Sequence, residues 1–129
     1  QITQSDGNTA VSESGTTDTY DVVLTTQPTA NVTVTLSPDA QVTTNVPSLT
    51  FTTVNWNAPQ TVTVSAVNDL VAEGTHSGVI SHTAASADAD YDGVPVAAVT
   101  ATITDNDFAG VSVVESGGNT TVSEAGATD

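Results

Sequence analysis

The sequence predicts an all-β protein, a sandwich of antiparallel strands, on the basis of three observations. Apolar and polar residues alternate with a period of two in several short segments, as they do in strands that bury one face. Clusters rich in Pro, Gly, Asn and Asp separate these segments at short intervals. Thr and Val, which favour strands, dominate the composition, and helix-forming residues other than Ala are scarce.

Seven strands are predicted in order along the chain. An opening strand precedes the "VSESG" stretch, and six more follow at residues 19–26, 31–37, 49–53, 60–66, 77–84 and 99–104. The alternation places one set of side chains toward the core: Tyr20, Val22, Leu24, Val32, Val34, Leu36, Leu49, Phe51, Val62, Val64, Ala66, Val99, Ala101 and Ile103. Trp56, in the turn "NWNAPQ", is predicted to pack at the end of the sandwich.

Charge is the most unusual property of the chain. Its 129 residues include fifteen acids and neither Lys nor Arg, for a formal charge of −15. Nucleic acid is excluded as a partner because binding to phosphates requires basic side chains. Membrane insertion is not expected either, since no apolar run approaches the ~20 residues of a span. The chain has no Cys, so it has no disulfides and no thiolate ligands, and a zinc or iron–sulfur site is not expected.

An internal repeat defines the predicted domain organisation. Ile2–Asp18 matches Val113–Asp129 without a gap at an offset of 111 residues, and the match includes Val-Ser-Glu and the closing Thr-Asp. We therefore predict one complete repeat over residues 1–109 and the opening strand of the next repeat over residues 110–129. A period this long is typical of beads on a string rather than of a solenoid. The chain is accordingly expected to be a fragment of a longer array.

Acidic residues cluster at one predicted end of the sandwich. If consecutive strands alternate in direction, the turn after the opening strand, two later loops and the end of the last strand share that end. The acids placed there are Glu13, Asp39, Asp69, Glu73, Asp105 and Asp107. Crowded carboxylates repel one another unless a cation intervenes, and clustered oxygen ligands suit Ca²⁺. For Asp39 alone, an ordinary turn residue is the favoured interpretation.

A second acidic stretch, "DADYDG", is predicted at the opposite end. The spacing of Asp88, Asp90 and Asp92 matches the first half of an EF-hand-like calcium loop, but the twelfth position is Val99 and no flanking helices are predicted. An Asp-rich turn and a calcium loop therefore both remain open. In a tandem array this loop would border the junction, as would Glu124, the counterpart of Glu13 in the second copy.

The ordered set "VSESG", "LTFTTVNWNAPQTVTVSAVND" followed by "EG", "DADYDG" and "ITDND" resembles the Calx-β family, and the related long repeats of bacterial surface proteins, over residues 11–107. The resemblance implies a seven-stranded immunoglobulin-like sandwich that holds Ca²⁺ at one end. By this resemblance the ligand roles fall on Glu13, Asp69, Glu73, Asp105 and Asp107. Exchanger members add an acid from a Gly-x-Asp-Tyr loop, for which Asp39 is only a loose substitute.

Taken together, these features predict a structural repeat of a secreted or cell-surface bacterial adhesin or extracellular fibre. Ca²⁺ at the junction would link neighbouring repeats and stiffen the array, and any host-surface or matrix ligand would bind elsewhere in the parent protein. Two alternatives remain: a fibre subunit that assembles by strand addition, and a carbohydrate- or ligand-binding module. An enzyme is not expected, because His76 and His82 belong to no ordered catalytic motif.

Overall fold

The computed structural model describes residues 1–120, 122 and 124. Nine strands in this part of the chain form two sheets, and helical structure is limited to two 3₁₀ turns, Ser5–Gly7 and Ser116–Gly118. The strands are β1 Ile2–Gln4, β2 Thr9–Ser12, β3 Asp18–Val22, β4 Val32–Pro38, β5 Val42–Thr44, β6 Ser48–Phe51, β7 Gln60–Ala66, β8 His76–Ser86 and β9 Val99–Thr104. Neither turn has the length or apolar character of a membrane-spanning helix.

The two sheets form an immunoglobulin-like sandwich. One sheet has the order β1-β3-β7-β5 and the other the order β2-β9-β8-β4-β6. Every pairing is antiparallel except that of β2 with β9, which is parallel and aligns Ser12 with Thr104. The prediction of a wholly antiparallel sandwich is therefore wrong at this edge, since the opening segment changes sheets and runs beside the last strand.

The strand count also differs from the predicted seven, for two reasons. The opening strand is divided into β1 and β2 by the turn Ser5–Gly7, where Asp6 (φ 51°) and Gly7 (φ 82°) adopt left-handed backbone conformations. Because such a turn redirects the chain, β1 joins the four-stranded sheet and β2 the five-stranded one. The second addition is β5, a short edge strand paired with β7 in a segment predicted to be a loop.

The predicted inward-facing residues form the core. All of them are buried except Ala66, which is half-buried, so the period-two alternation assigned the faces of these strands correctly. Trp56 is partly buried and packs against the core cluster, as predicted from its turn. Its indole is thus engaged in packing and is not a free stacking platform.

One polar pair crosses the core between the sheets. The Tyr20 hydroxyl lies 2.8 Å from Nε2 of His82, and Nδ1 of His82 lies 2.9 Å from the Ala97 carbonyl oxygen. Because a carbonyl only accepts, Nδ1 carries the proton and Nε2 accepts from Tyr20. Burial lowers the pKa of His82 and raises that of Tyr20, so both side chains are neutral structural groups.

Candidate metal centre

Three parts of the fold meet at one end of the sandwich. Glu13 directly follows β2 and Asp105 directly follows β9, and the parallel pairing of these strands sets the two acids side by side. The Glu13 amide donates to the Thr104 carbonyl at 3.0 Å, which continues the ladder by one residue. Antiparallel β8 begins beside the end of β9, so the 67–75 loop that precedes β8 arrives at the same place.

Glu13 is buried at the centre of this end. Its side chain has no exposed surface, and neither carboxylate oxygen makes a hydrogen bond. Burial is the main cause of its raised pKa, and the charges of Asp105 and Asp69 raise it further. His76 and the Asp69 amide lower the pKa by smaller amounts, although that amide does not complete a hydrogen bond. An acid in this environment requires either a proton or a cation.

Asp105 holds the neighbouring loop in place. Its Oδ2 accepts from the amides of Glu73 at 2.5 Å and Gly74 at 2.7 Å, and its Oδ1 accepts from the Asp107 amide at 2.8 Å. These donors, the Asp107 amide first, lower the pKa of Asp105 despite some desolvation. The carboxylate therefore remains ionised and fixes the loop against the end of β9, and it belongs to neither group of converging ligand atoms.

One group of converging ligand atoms consists of oxygens only. Carboxylate oxygens of Glu13, Asp69 and Asp107 all lie within 4.8 Å of one another. Oδ2 of Asp107 is buried and makes no hydrogen bond, like both oxygens of Glu13. Oxygens bound to one Ca²⁺ at 2.3–2.6 Å lie at most roughly 5 Å apart, so a single ion could contact all three residues.

A second group combines oxygen with nitrogen. His76 Nε2 lies 3.3 Å from Oε2 of Glu73 and 3.7 Å from Oε1 of Glu13. The Gly74 carbonyl, 2.8 Å from Nδ1, is the main cause of the raised pKa of His76, and Glu73 and Glu13 add to it against the effect of burial. Sequence reasoning did not find His76, because the separation of His76 from Glu13 along the chain gave no sign of their contact.

The remaining predicted acids are not drawn into these groups. Asp39 lies at the same end, but its carboxylate accepts from the amides of Val79 and Gln41, at 2.8 and 3.0 Å, as a turn residue does. Glu124 is exposed. Among the residues that the structure describes, neither of these acids belongs to a group of three or more converging ligands.

The "DADYDG" stretch is a turn closed by its own carboxylates. Asp88 is buried, and its oxygens accept from the amides of Thr29 at 2.8 Å and Asp90 at 3.0 Å. The Thr29 amide is the main cause of its lowered pKa. Asp92 accepts from the Ser86 amide, while Asp90 points outward. Among the described residues these three acids form no group of converging ligand atoms, and the observed hydrogen bonds are those of an Asp-rich turn.

The two packed sheets define an immunoglobulin-like β-sandwich, and two solved structures with TM-scores above 0.5 share this fold. The periplasmic chaperone SfaE aligns with a TM-score of 0.56 and 7% identity, covering 82% of this chain and 57% of that chain. A structure of the Salmonella enterica SafA pilin with the SafB chaperone aligns with a TM-score of 0.52 and 8% identity, covering 82% of this chain and 55% of that chain. The calcium binding domain CBD12 of CALX1.1 aligns with a TM-score of 0.48 and 16% identity, covering 81% of this chain and 44% of that chain.

The matched regions cover between 44% and 57% of these three chains. At 7% and 8% identity, the likeness to the two chaperone structures concerns the fold alone. The sequence matches no protein-family model and no curated protein in the comparisons made.

Proposed function

We propose that residues 1–109 are one repeat of a tandem array in a secreted or bacterial cell-surface protein, a calcium-stiffened spacer and not an enzyme. The observation that carries this proposal is the buried Glu13 carboxylate, which makes no hydrogen bond and faces Asp69 and Asp107. The chain has no Lys or Arg to neutralise it. A hard divalent cation would bind the carboxylate oxygens that lack hydrogen bonds and would remove the repulsion between the carboxylates.

Calcium is favoured over magnesium because the ligands come from separate segments of irregular backbone. Glu13 follows β2, Asp69 lies in the 67–75 loop and Asp107 follows β9. Mg²⁺ requires near-octahedral geometry and retains its waters, whereas Ca²⁺ accepts six to eight oxygens in irregular arrangements. Water and backbone carbonyls would supply the remaining ligands. The Calx-β resemblance of the sequence points to the same ion.

The local backbone supports the tandem arrangement. The turns Ser5–Gly7 and Ser116–Gly118 lie 116 − 5 = 111 residues apart, which is the offset of the sequence repeat. Their second residues, Asp6 (φ 51°) and Gly117 (φ 63°), both adopt the left-handed conformation, as do their closing glycines. The second copy thus repeats the turn that follows β1, although residues 111–115 form no strand.

Mechanically, the ion would join the end of β9 to the body of its own repeat. Asn106 already donates from Nδ2 to Oδ1 of Asn68 at 3.0 Å, and Asp105 binds the amides of Glu73 and Gly74. Phe108, in contrast, is 90% exposed, so contacts to the repeat end near Asp107. Calcium on Asp107 would hold the start of the connector, residues 108–110, and so limit the hinge between repeats.

Thermal unfolding in calcium and in excess chelator tests the metal. At a calcium concentration a hundred times the Kd, we expect stabilisation of ~2.7 kcal/mol, or roughly 10 °C in the midpoint. Asp107→Asn should remove most of this increment, whereas Asp90→Asn, an exposed acid outside the site, should retain it. Equal midpoints for the unsubstituted chain in calcium and chelator would refute the proposal.

Small-angle scattering on a chain with two successive complete repeats tests the stiffening. Calcium should increase the maximum dimension, because a restricted hinge favours extended arrangements. Asp107→Asn in the first repeat should give the chelator value in both conditions. If the dimensions agree with and without calcium while the melting increment persists, the ion stabilises the domain without stiffening the array.

A second candidate, a fibre subunit that assembles by strand addition, is favoured by the edge positions of β1 and β2. Each lies at the outer edge of its sheet, and their copy carries exposed Val113 and Val122 at the positions of Ile2 and Val11. An exchanged copy could therefore replace β1 and β2 in another chain. Molar mass by light scattering should then rise with concentration and fall in Val122→Asp; a constant monomer mass would exclude this assembly.

A further inference from the structure

The second group of ligand atoms at the acidic end has a chemistry that calcium does not explain. His76 is the first residue of β8, and its Nε2 is buried, makes no hydrogen bond and faces the carboxylates of Glu73 and Glu13. Ca²⁺ selects oxygen ligands, and imidazole is a ligand for the transition metals. The nitrogen therefore marks a site different in kind from the all-oxygen group.

The orientation of the His76 ring is fixed by a hydrogen bond at Nδ1, the nitrogen that does not face the carboxylates. Nδ1 lies 2.8 Å from the Gly74 carbonyl oxygen, which can only accept, so Nδ1 carries the proton. In the neutral ring this directs the lone pair of Nε2 toward the two carboxylates. Histidines that bind metals are typically held in this manner, with the second nitrogen donating to a carbonyl or a carboxylate.

The distances match a small ion. Ligand atoms bound at 2.0–2.1 Å around a tetrahedral Zn²⁺ lie about 3.3 Å from one another. The measured separations from Nε2 are 3.3 Å to Glu73 and 3.7 Å to Glu13. Glu73 is exposed and Glu13 is buried, so the trio opens to solvent on one side, where water could be the fourth ligand. Thiolates, whose absence argued against zinc in the sequence, are not required for such a site.

We propose that His76, Glu13 and Glu73 bind a divalent transition-metal ion of the zinc type, beside the calcium group. This inference rests on the proposed function in one respect, since Glu13 belongs to both groups. Glu13 has two oxygens without hydrogen bonds, and Oε1 is the one nearest His76. The carboxylate can therefore bridge two ions, one bound by oxygens alone and one by nitrogen and oxygen.

A simpler arrangement competes with this proposal. A protonated His76 would form ion pairs with the same two carboxylates and would need no metal. Both arrangements place a positive charge at the same point, and they differ in whether Nε2 binds hydrogen or a metal ion. The experiment must therefore observe that atom directly.

Nitrogen NMR of the ¹⁵N-labelled, chelator-treated chain makes this distinction. At about pH 8, above the ordinary histidine range, one equivalent of zinc should shift the Nε2 signal of His76. The Nε2 signal of His82, which accepts from Tyr20 inside the core, should stay in place and serves as the internal control. An unmoved His76 signal at saturating zinc overturns the site.

Calorimetric titration with zinc and calcium separates this site from the calcium group. His76→Gln should weaken zinc binding at least tenfold and leave the calcium-dependent rise in melting midpoint in place. Asp107→Asn should remove the calcium-dependent rise in melting midpoint and leave zinc binding in place. Asp90→Asn should change neither the rise nor the affinity for zinc. Zinc binding that survives His76→Gln overturns the inference, whereas a missing calcium response together with a zinc-shifted His76 overturns only the proposed function.

Discussion

The two ends of the sandwich each bury one carboxylate, and they do so in opposite ways. Asp88 is 8% exposed and Glu13 is 6% exposed. Asp88 accepts from two backbone amides, which lower its pKa, whereas Glu13 accepts no hydrogen bond and burial raises its pKa. The comparison shows that acidity and burial alone do not define a metal site. The number of donors already committed to the carboxylate separates a structural acid from a candidate ligand.

The largest expected effect comes from removing the charge of Glu13, the buried carboxylate that accepts no hydrogen bond. Glu13→Gln should abolish the calcium increment of roughly 10 °C expected for the unsubstituted chain. In chelator the same substitution should raise the melting midpoint, because a neutral amide is less costly to bury and can donate to the neighbouring carboxylates. A variant that is less stable in chelator would show that Glu13 is already compensated without metal.

The matching substitution at the opposite end should behave differently. Asp88→Ala leaves the amides of Thr29 and Asp90 without their acceptor. We expect the midpoint to fall by about 5 °C, by the same amount in calcium and in chelator. A fall that depends on calcium would mean that the "DADYDG" turn binds the ion after all.

A smaller effect is expected from pH in the absence of metal. The native Glu13 carboxyl retains its proton to higher pH than the unfolded one, whose ordinary pKa is 4.5. Ionisation over that window therefore favours the unfolded chain, and stability should fall as pH rises from 4.5 through the raised native pKa. Unfolding in chelator at successive pH values upward from 4.5 should show this fall, and Glu13→Gln should lack it.

The pairing of His76 has its own pH dependence. Its raised native pKa stabilises the fold fully below the ordinary value of 6.5, and the contribution disappears as pH rises through the native value. In chelator, His76→Gln should therefore lose stability relative to the unsubstituted chain below pH 6.5 and match it more closely at high pH. A constant difference across this range would contradict the raised pKa of His76, to which the Gly74 carbonyl contributes most and the charges of Glu73 and Glu13 add.

The smallest effect should come from Asp90, the outward-facing acid of the "DADYDG" turn. Asp90→Asn should change the free energy of unfolding by less than about 0.5 kcal/mol in either condition, as exposed substitutions usually do. Chemical denaturation with and without calcium provides the measurement. A larger change would show that the turn depends on this carboxylate as well as on Asp88.

Much of the fold was predictable because strand faces are a local property. The alternation in segments such as "VTATIT" places Val99, Ala101 and Ile103 inside, and all three are buried. The division of the opening strand was not predicted, because it depends on the left-handed conformation of Asp6, which is uncommon for any residue with a side chain although Asp adopts it more readily than most. The parallel pairing of β2 with β9 follows from that turn.

The candidate site was predictable in its location but not in its composition. Strand direction alone places Glu13, Asp69, Glu73, Asp105 and Asp107 at one end. The sequence does not reveal that the oxygens of Asp105 accept hydrogen bonds from backbone amides, whereas Oδ2 of Asp107 accepts none. Nor does it reveal His76, whose role depends on its distance from Glu13 on the far side of the intervening strand β9.

By itself the sequence determined an all-β chain, its core residues, its internal repeat and an acidic end without basic partners. These follow from periodicity, composition and self-similarity, which are properties of neighbouring residues or of direct comparison. Only the tertiary structure decided which carboxylates are committed to the backbone and which converge. Several of the hydrogen bonds to these carboxylates come from amides distant in sequence, as from Thr29 to Asp88 and from Glu73 to Asp105, so their full pattern exists only once the chain has folded.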